Sequence, residues 1–214
     1  MKVLVIYCHP SNNSFTYEVK NEFIRGLHDG NHEYTLLDLY ALDFKETFSE
    51  SEYLREVFYN EKIDILDDVK EFQKLINQNN ALVFIYPVFW GEAPSKLVRW
   101  FQWVWTYGFA YGNNASMKQL DKVLMLVTMG GDLNEPIRQA EVEAMKVIMF
   151  ENRIGNRSKE KEMVVFDRMS RDYVNRSNNF NNNLKRAYCL GKNFWNKRIY
   201  YRDKKRYYFF NIRV

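Results

Sequence analysis

The chain has 214 residues, 46% of them hydrophobic, which suits one domain with a sizeable core. Its net charge of +4 is gathered at one end: the last 19 residues carry seven Lys/Arg against one Asp, and the slightly acidic remainder is not the body of a nucleic-acid binder. Two cysteines (Cys8, Cys189) make no disulfide framework, three histidines lack ligand spacing, and no apolar run reaches the ~20 residues of a membrane helix, so no metal site and no membrane span are expected.

The first apolar run, "VLVIYC" (3–8), reads as a strand and meets polar "HPSNNS" at once. It lacks the small-residue cleavage pattern of a signal peptide. Reduced core thiols fit a cytoplasmic location. "FTYEVKNEFIRGL" (15–27) spaces its apolar residues as a helix, and "YTLLDL" (34–39) follows as a strand. Residues 40–62 are charged and irregular, with a short helix expected at 50–58. "ILDDVKEFQKLI" (65–76) is helical, "ALVFIY" (81–86) a strand, and "PSKLVRWFQWVW" (94–105) a helix opening on proline. Then come a strand at 122–128, a helix at 136–150, a weaker strand at 162–167 and a helix at 182–195. Three of the strands are near-continuous apolar runs, the pattern of strands covered on both faces. Strands alternating with helices predict an α/β three-layer sandwich. Its five-stranded parallel sheet takes the flavodoxin-like order 2-1-3-4-5. The predicted domain covers 1–197, followed by a basic, aromatic tail over 198–214.

In such a sheet, ligands bind beyond the carboxyl ends of the strands, where strand order reverses. Three loops meet there. "HPSNNSF" (9–15) offers capping hydroxyls and helix-start amides, an ordinary polar turn or a phosphate cradle. It contains neither G-x-G-x-x-G nor a Walker lysine. "PVFWGEAP" (87–94) puts Phe89 and Trp90 at the sheet edge, where they close the layer or stack on a planar ring. "TMGGD" (128–132) brings adjacent glycines whose amides can face an anion. Residues 86–112 hold ten aromatics, four of them tryptophans. Rings at Trp100, Phe101, Trp103 and Trp105 surround most of one helix, which predicts a subunit interface as a second partner besides the sheet.

Together, "HPSNNSF", "PVFWGEAPSKL", "WFQWVWTYGFAY" and "TMGG" resemble the signatures of the flavodoxin-like NAD(P)H:quinone oxidoreductase family. That family includes the mammalian quinone reductases, bacterial modulators of drug activity and ancillary subunits of potassium efflux systems. The order and spacing match from residue 1 to about 135. The resemblance implies a flavoprotein enzyme that passes hydride from NADH or NADPH through the flavin N5 to a quinone-like acceptor by a ping-pong route. It implies that His9, Ser14, Phe15 and Thr16 hold the flavin phosphate, and that Pro87, Val88, Phe89 and Trp90 line the ring. Thr128, Met129, Gly130 and Gly131 meet its pyrimidine edge, where the two glycine amides oppose developing charge. Tyr111 faces the nicotinamide or quinone, from the neighbouring subunit of a homodimer.

The sequence departs from the family in several places. Val98 stands at a commonly basic position, Gln102–Trp103 replace an acidic–basic pair, and Gly91 replaces a frequent aromatic. No histidine follows His32, so the histidine proton relay of mammalian members is absent and the proton comes from water, Tyr111 or the substrate. FAD is favoured over FMN, because the 40–62 excursion is read as covering an adenosine half. The tail is read as an extension packing on the subunit, ahead of contact with an acidic membrane surface or nucleic acid. Two other functions compete: a regulatory subunit of an efflux system, and a flavodoxin-type electron carrier. Carriers are usually acidic and use T-x-T-G-x-T instead of "HPSNNSF".

Overall fold

The computed structural model describes residues 1–42 and 47–196. The basic tail read over 198–214 lies outside the described residues. Five strands form one sheet: β1 (Lys2–Tyr7), β2 (Glu33–Asp38), β3 (Ala81–Pro87), β4 (Leu120–Thr128) and β5 (Ser158–Phe166). All neighbours are parallel, in the order β2-β1-β3-β4-β5. This is the predicted flavodoxin-like arrangement.

Successive side chains of a strand point to opposite faces, so an apolar run feeds two cores. Val3, Val5, Tyr7, Val83, Ile85, Leu124 and Leu126 pack under α1 (Phe15–Asp29) and α6 (Arg176–Lys192). Leu4, Ile6, Leu82, Phe84, Tyr86, Val123, Met125 and Val127 pack under α3 (Asp67–Gln78), α4 (Ser95–Val104) and α5 (Pro136–Lys146). α1 and α6 approach closely through two glycines. A Cβ on Gly26 would stand 2.1 Å from the Tyr188 carbonyl oxygen, and one on Gly191 the same distance from that of Phe23. Among the described residues, no helix is long and apolar enough to cross a membrane.

The aromatic helix finds partners on several sides within its own chain. Trp100, Phe101 and Trp103 are all buried within the single chain. Trp100 and Phe101 pack on Phe72, Phe84 and Trp105, and Trp103 meets the 40–62 excursion. Its helix α2 (Glu50–Val57) lies along α4, with Trp103 Nε1 donating to Glu52 Oε1 and Arg99 3.7 Å from the same carboxylate. Arg55 is buried and donates to Glu56, to the Ile63 carbonyl and to the Tyr107 carbonyl. On the other side, Trp105 Nε1 donates to the Arg153 carbonyl at 2.6 Å. Arg153 belongs to a π-helical stretch, Val147–Ile154, that continues α5 where the sequence pattern implies one α-helix. Residues 47–62 of the excursion therefore lie against α4 and the loop that follows it.

Candidate functional site

β1 hands over to α1 through His9–Ser14. Ser14 is the N-cap: its Oγ accepts the Tyr17 amide at 3.1 Å and donates to the Ser11 carbonyl at 3.1 Å. The Ser14 carbonyl takes the Glu18 amide. The first-turn amides of a helix have no partner inside it, so those of Phe15 and Thr16 remain open to an anion. His9 Nδ1 lies 2.9 Å from the Ser11 carbonyl oxygen and 3.0 Å from the Ser11 amide nitrogen. Burial lowers its pKa, against a raising contact with Ser11, so the ring is neutral at pH 7. Lys20, two turns into α1, is buried with its ammonium 3.9 Å from the Tyr17 ring centre and 5.0 Å from that of Tyr7. The ammonium thus lies against the last residue of β1 and the first turn of α1. The helix pattern gave no sign of it, because Lys20 shares the apolar face by folding its stem under two rings.

β3 ends at Pro87, and Val88 still pairs, its amide donating to the Thr128 carbonyl at 2.9 Å. Phe89 and Glu92 then exchange both backbone hydrogen bonds around a two-residue turn. Trp90 (φ 54°) and Gly91 (φ 78°) both take left-handed conformations, as this hairpin geometry requires. The Trp90 side chain is fully exposed and Phe89 is 44% exposed. An open cleft of about 590 Å³ continues from Phe89 along Glu92, Val98 and Gln102.

The β4 loop faces both of these. Thr128 Oγ1 meets Thr16 Oγ1 at 2.7 Å, both residues buried, which joins the third loop to the first. The Met129 amide donates to the Phe166 carbonyl. The carbonyls of Met129, Gly130 and Gly131 accept from Met169, Ser170 and Arg168 at 3.3, 3.2 and 2.8 Å. Among the described residues, the amides of Gly130 and Gly131 have no acceptor. Two donors are therefore held open at the sheet edge, with their own carbonyls tied back. Phe180 of α6 also reaches this end, 5.4 Å from the Phe15 ring.

Tyr111 is not brought to this cluster. Its loop sits at the amino edge of the sheet, where Arg157, just before β5, donates to the Ala110 carbonyl at 2.6 Å. Asn77, just before β3, bonds Ser116 and Lys118 there. β4 alone, nine residues long, separates the two edges by roughly 30 Å at ~3.3 Å per residue. The Tyr111 hydroxyl donates to Glu56 Oε2 at 2.6 Å. Burial, then that carboxylate, push its phenol well above the usual range.

These observations define a parallel α/β protein with an open helix start, two exposed rings and an open amide pair at one sheet edge. A family model described as a flavodoxin-like fold matches residues 1–149. The structure of an NAD(P)H:quinone oxidoreductase from Methanothermobacter marburgensis superposes with a TM-score of 0.84 at 32% identity, covering 92% of this chain and 98% of that one. NAD(P)H dehydrogenase [quinone] 1 of Cavia porcellus is 26% identical over 147 residues, 61% of this chain and 54% of that protein. This chain thus spans about half the length of that curated relative. An FMN-dependent NADH-azoreductase from Bacillus anthracis, solved with FMN, shares the fold at a TM-score of 0.67 and 17% identity, covering 90% of this chain and 98% of that one. The chain belongs to the flavodoxin-like fold family, in its NAD(P)H:quinone oxidoreductase group.

Proposed function

We propose that the chain is a flavin-dependent NAD(P)H oxidoreductase that reduces quinones or similar small acceptors as a homodimer. One observation carries this reading: at the strand-order reversal, the open amides of Gly130 and Gly131 share an edge with a helix-start anion seat and two exposed rings. The flavin, when bound, would take hydride from NAD(P)H at N5 and return it to the acceptor in alternating half-reactions. The Phe15 and Thr16 amides and neutral His9, capped by Ser14, seat the phosphate, with Lys20 behind them. Pro87, Val88, Phe89 and Trp90 form the wall against the ring. Thr128 and Met129 locate the pyrimidine edge, and the Gly130–Gly131 amides stabilise the negative charge that reduction brings there.

Tyr111 serves the site of the neighbouring copy, since its own sheet holds it at the far edge. Its proton is committed to Glu56, so water supplies the proton and Tyr111 orients the stacked substrate. The phosphate seat suits either FMN or FAD.

The purified chain should be yellow, or become so on adding FMN or FAD, and mass analysis of what heat releases identifies which. Steady-state oxidation of NAD(P)H with a small quinone separates an enzyme from a carrier or a docking subunit. Gly130→Ala tests the amide edge. Its Cβ would meet Ser170 Cβ at an ordinary 3.6 Å, so the fold stays intact while a methyl obstructs the ligand. Flavin affinity should fall at least about tenfold, as expected when a preorganised donor is blocked. A colourless wild-type chain that refuses both flavins overturns the reading.

A further inference from the structure

The β4 loop is tied closely to the loop that follows β5. Arg168, Met169 and Ser170 pair with all three carbonyls of Met129–Gly131. Two side-chain bonds close the same two loops: the Tyr173 hydroxyl donates to Asp132 Oδ2 at 2.8 Å, and the Leu133 amide donates to Asp167 Oδ2 at 3.0 Å. The other oxygen of Asp132 accepts the Asn134 amide at 2.8 Å. Burial alone would push the Asp132 carboxyl up; the Asn134 amide, the Tyr173 hydroxyl and the Arg168 charge bring it below its ordinary range. Asp132 is therefore a carboxylate held from both sides, directly after the open amide of Gly131.

Adjacent glycines have little conformational preference of their own. Something else must fix which way the Gly130 and Gly131 amides point. The backbone pairs fix the carbonyls and, across planar peptides, the Gly130 and Gly131 amides with them, and Asp132 holds the chain where it leaves Gly131. Tyr173 is the only side chain from outside the β4 loop that hydrogen-bonds Asp132 among the described residues.

We propose that Tyr173 is a positioning residue: by holding Asp132 it braces the β4 loop on the loop after β5, keeps the Gly130 and Gly131 amides in the direction those backbone pairs give them, and so sets how strongly the site favours reduced over oxidised cofactor. This rests on the flavin reading above. An amide aimed where charge develops stabilises the charged state more than the neutral one. Loosening the aim therefore weakens binding of the reduced form first.

The test uses the full chain loaded with its flavin, and reads the two-electron midpoint potential beside the affinity for oxidised flavin. Tyr173→Phe removes only the hydroxyl. Affinity for oxidised flavin should change little, while the reduced form binds about tenfold more weakly, a fall of about 30 mV in the potential. Asp132→Ala breaks the same bond from the other side and should also lower the potential. A purely electrostatic role for Asp132 predicts the opposite sign, since deleting a negative charge favours the reduced form. A potential that is unchanged or raised in either folded variant overturns the proposal. A wild-type chain that binds no flavin would instead sink the reading beneath it.

Discussion

Trp90 occupies a backbone region that costs a non-glycine residue about 1–2 kcal/mol, and it leaves its indole fully in solvent. Asparagine tolerates that conformation better. Trp90→Asn should raise stability by about 1 kcal/mol in urea unfolding of the apo chain, while flavin affinity falls as the stacking face is lost. A second residue-scale effect concerns acid. Burial lowers His9 from its ordinary 6.5, so below that value the unfolded chain binds a proton that the folded chain does not. The stability tied to His9 is complete above 6.5 and declines as pH falls toward the folded-state value. His9→Gln should flatten that part of the profile, read by urea unfolding of the apo chain at about pH 7.5 and about pH 5.5. Ser14, Thr16 and Thr128 were legible as loop residues because caps and strand ends leave local patterns. Lys20 and Tyr173 were not, because each gains its role from residues that only the folded chain brings close.

At the scale of elements, α2 is the segment whose importance the sequence concealed. Its short helix was readable at 50–58, and its inward-facing charges were not. A run rich in Glu and Arg reads as solvated, yet Arg55 is buried and Glu52 and Glu56 turn toward α4 and its following loop. Arg55→Ala strips Glu56 of its guanidinium and frees two carbonyls, and should cost about 3 kcal/mol in equilibrium unfolding. The intrinsic tryptophan emission should shift as Trp103 loses its cover. The π-helical stretch after α5 was hidden for a different reason. Its apolar spacing continues the helical pattern, and a turn one residue wider leaves no separate mark. Strand order, by contrast, was fully legible, since unbroken apolar runs between helices admit few parallel arrangements.

For the whole molecule, the division between the two sheet edges gives a direct test of the homodimer. Chains carrying Tyr111→Phe lack the far-edge phenol, and chains carrying Gly130→Ala lack the flavin edge. If each site draws on two copies, mixing and re-associating these two defective chains restores activity. Random pairing makes half the dimers mixed with one sound site each, so recovery should approach about a quarter of wild type. Equal inactivity before and after mixing places both residues in one chain's site. The close approach of α1 and α6 has a consequence for biosynthesis. The helix that carries the anion seat is roofed by residues near position 190, through Gly26 and Gly191, and by Phe180 against Phe15. Contacts so remote along the chain close late. A ribosome-bound chain stalled before α6 emerges should therefore keep no riboflavin phosphate through washing, and retain it only once that helix is released.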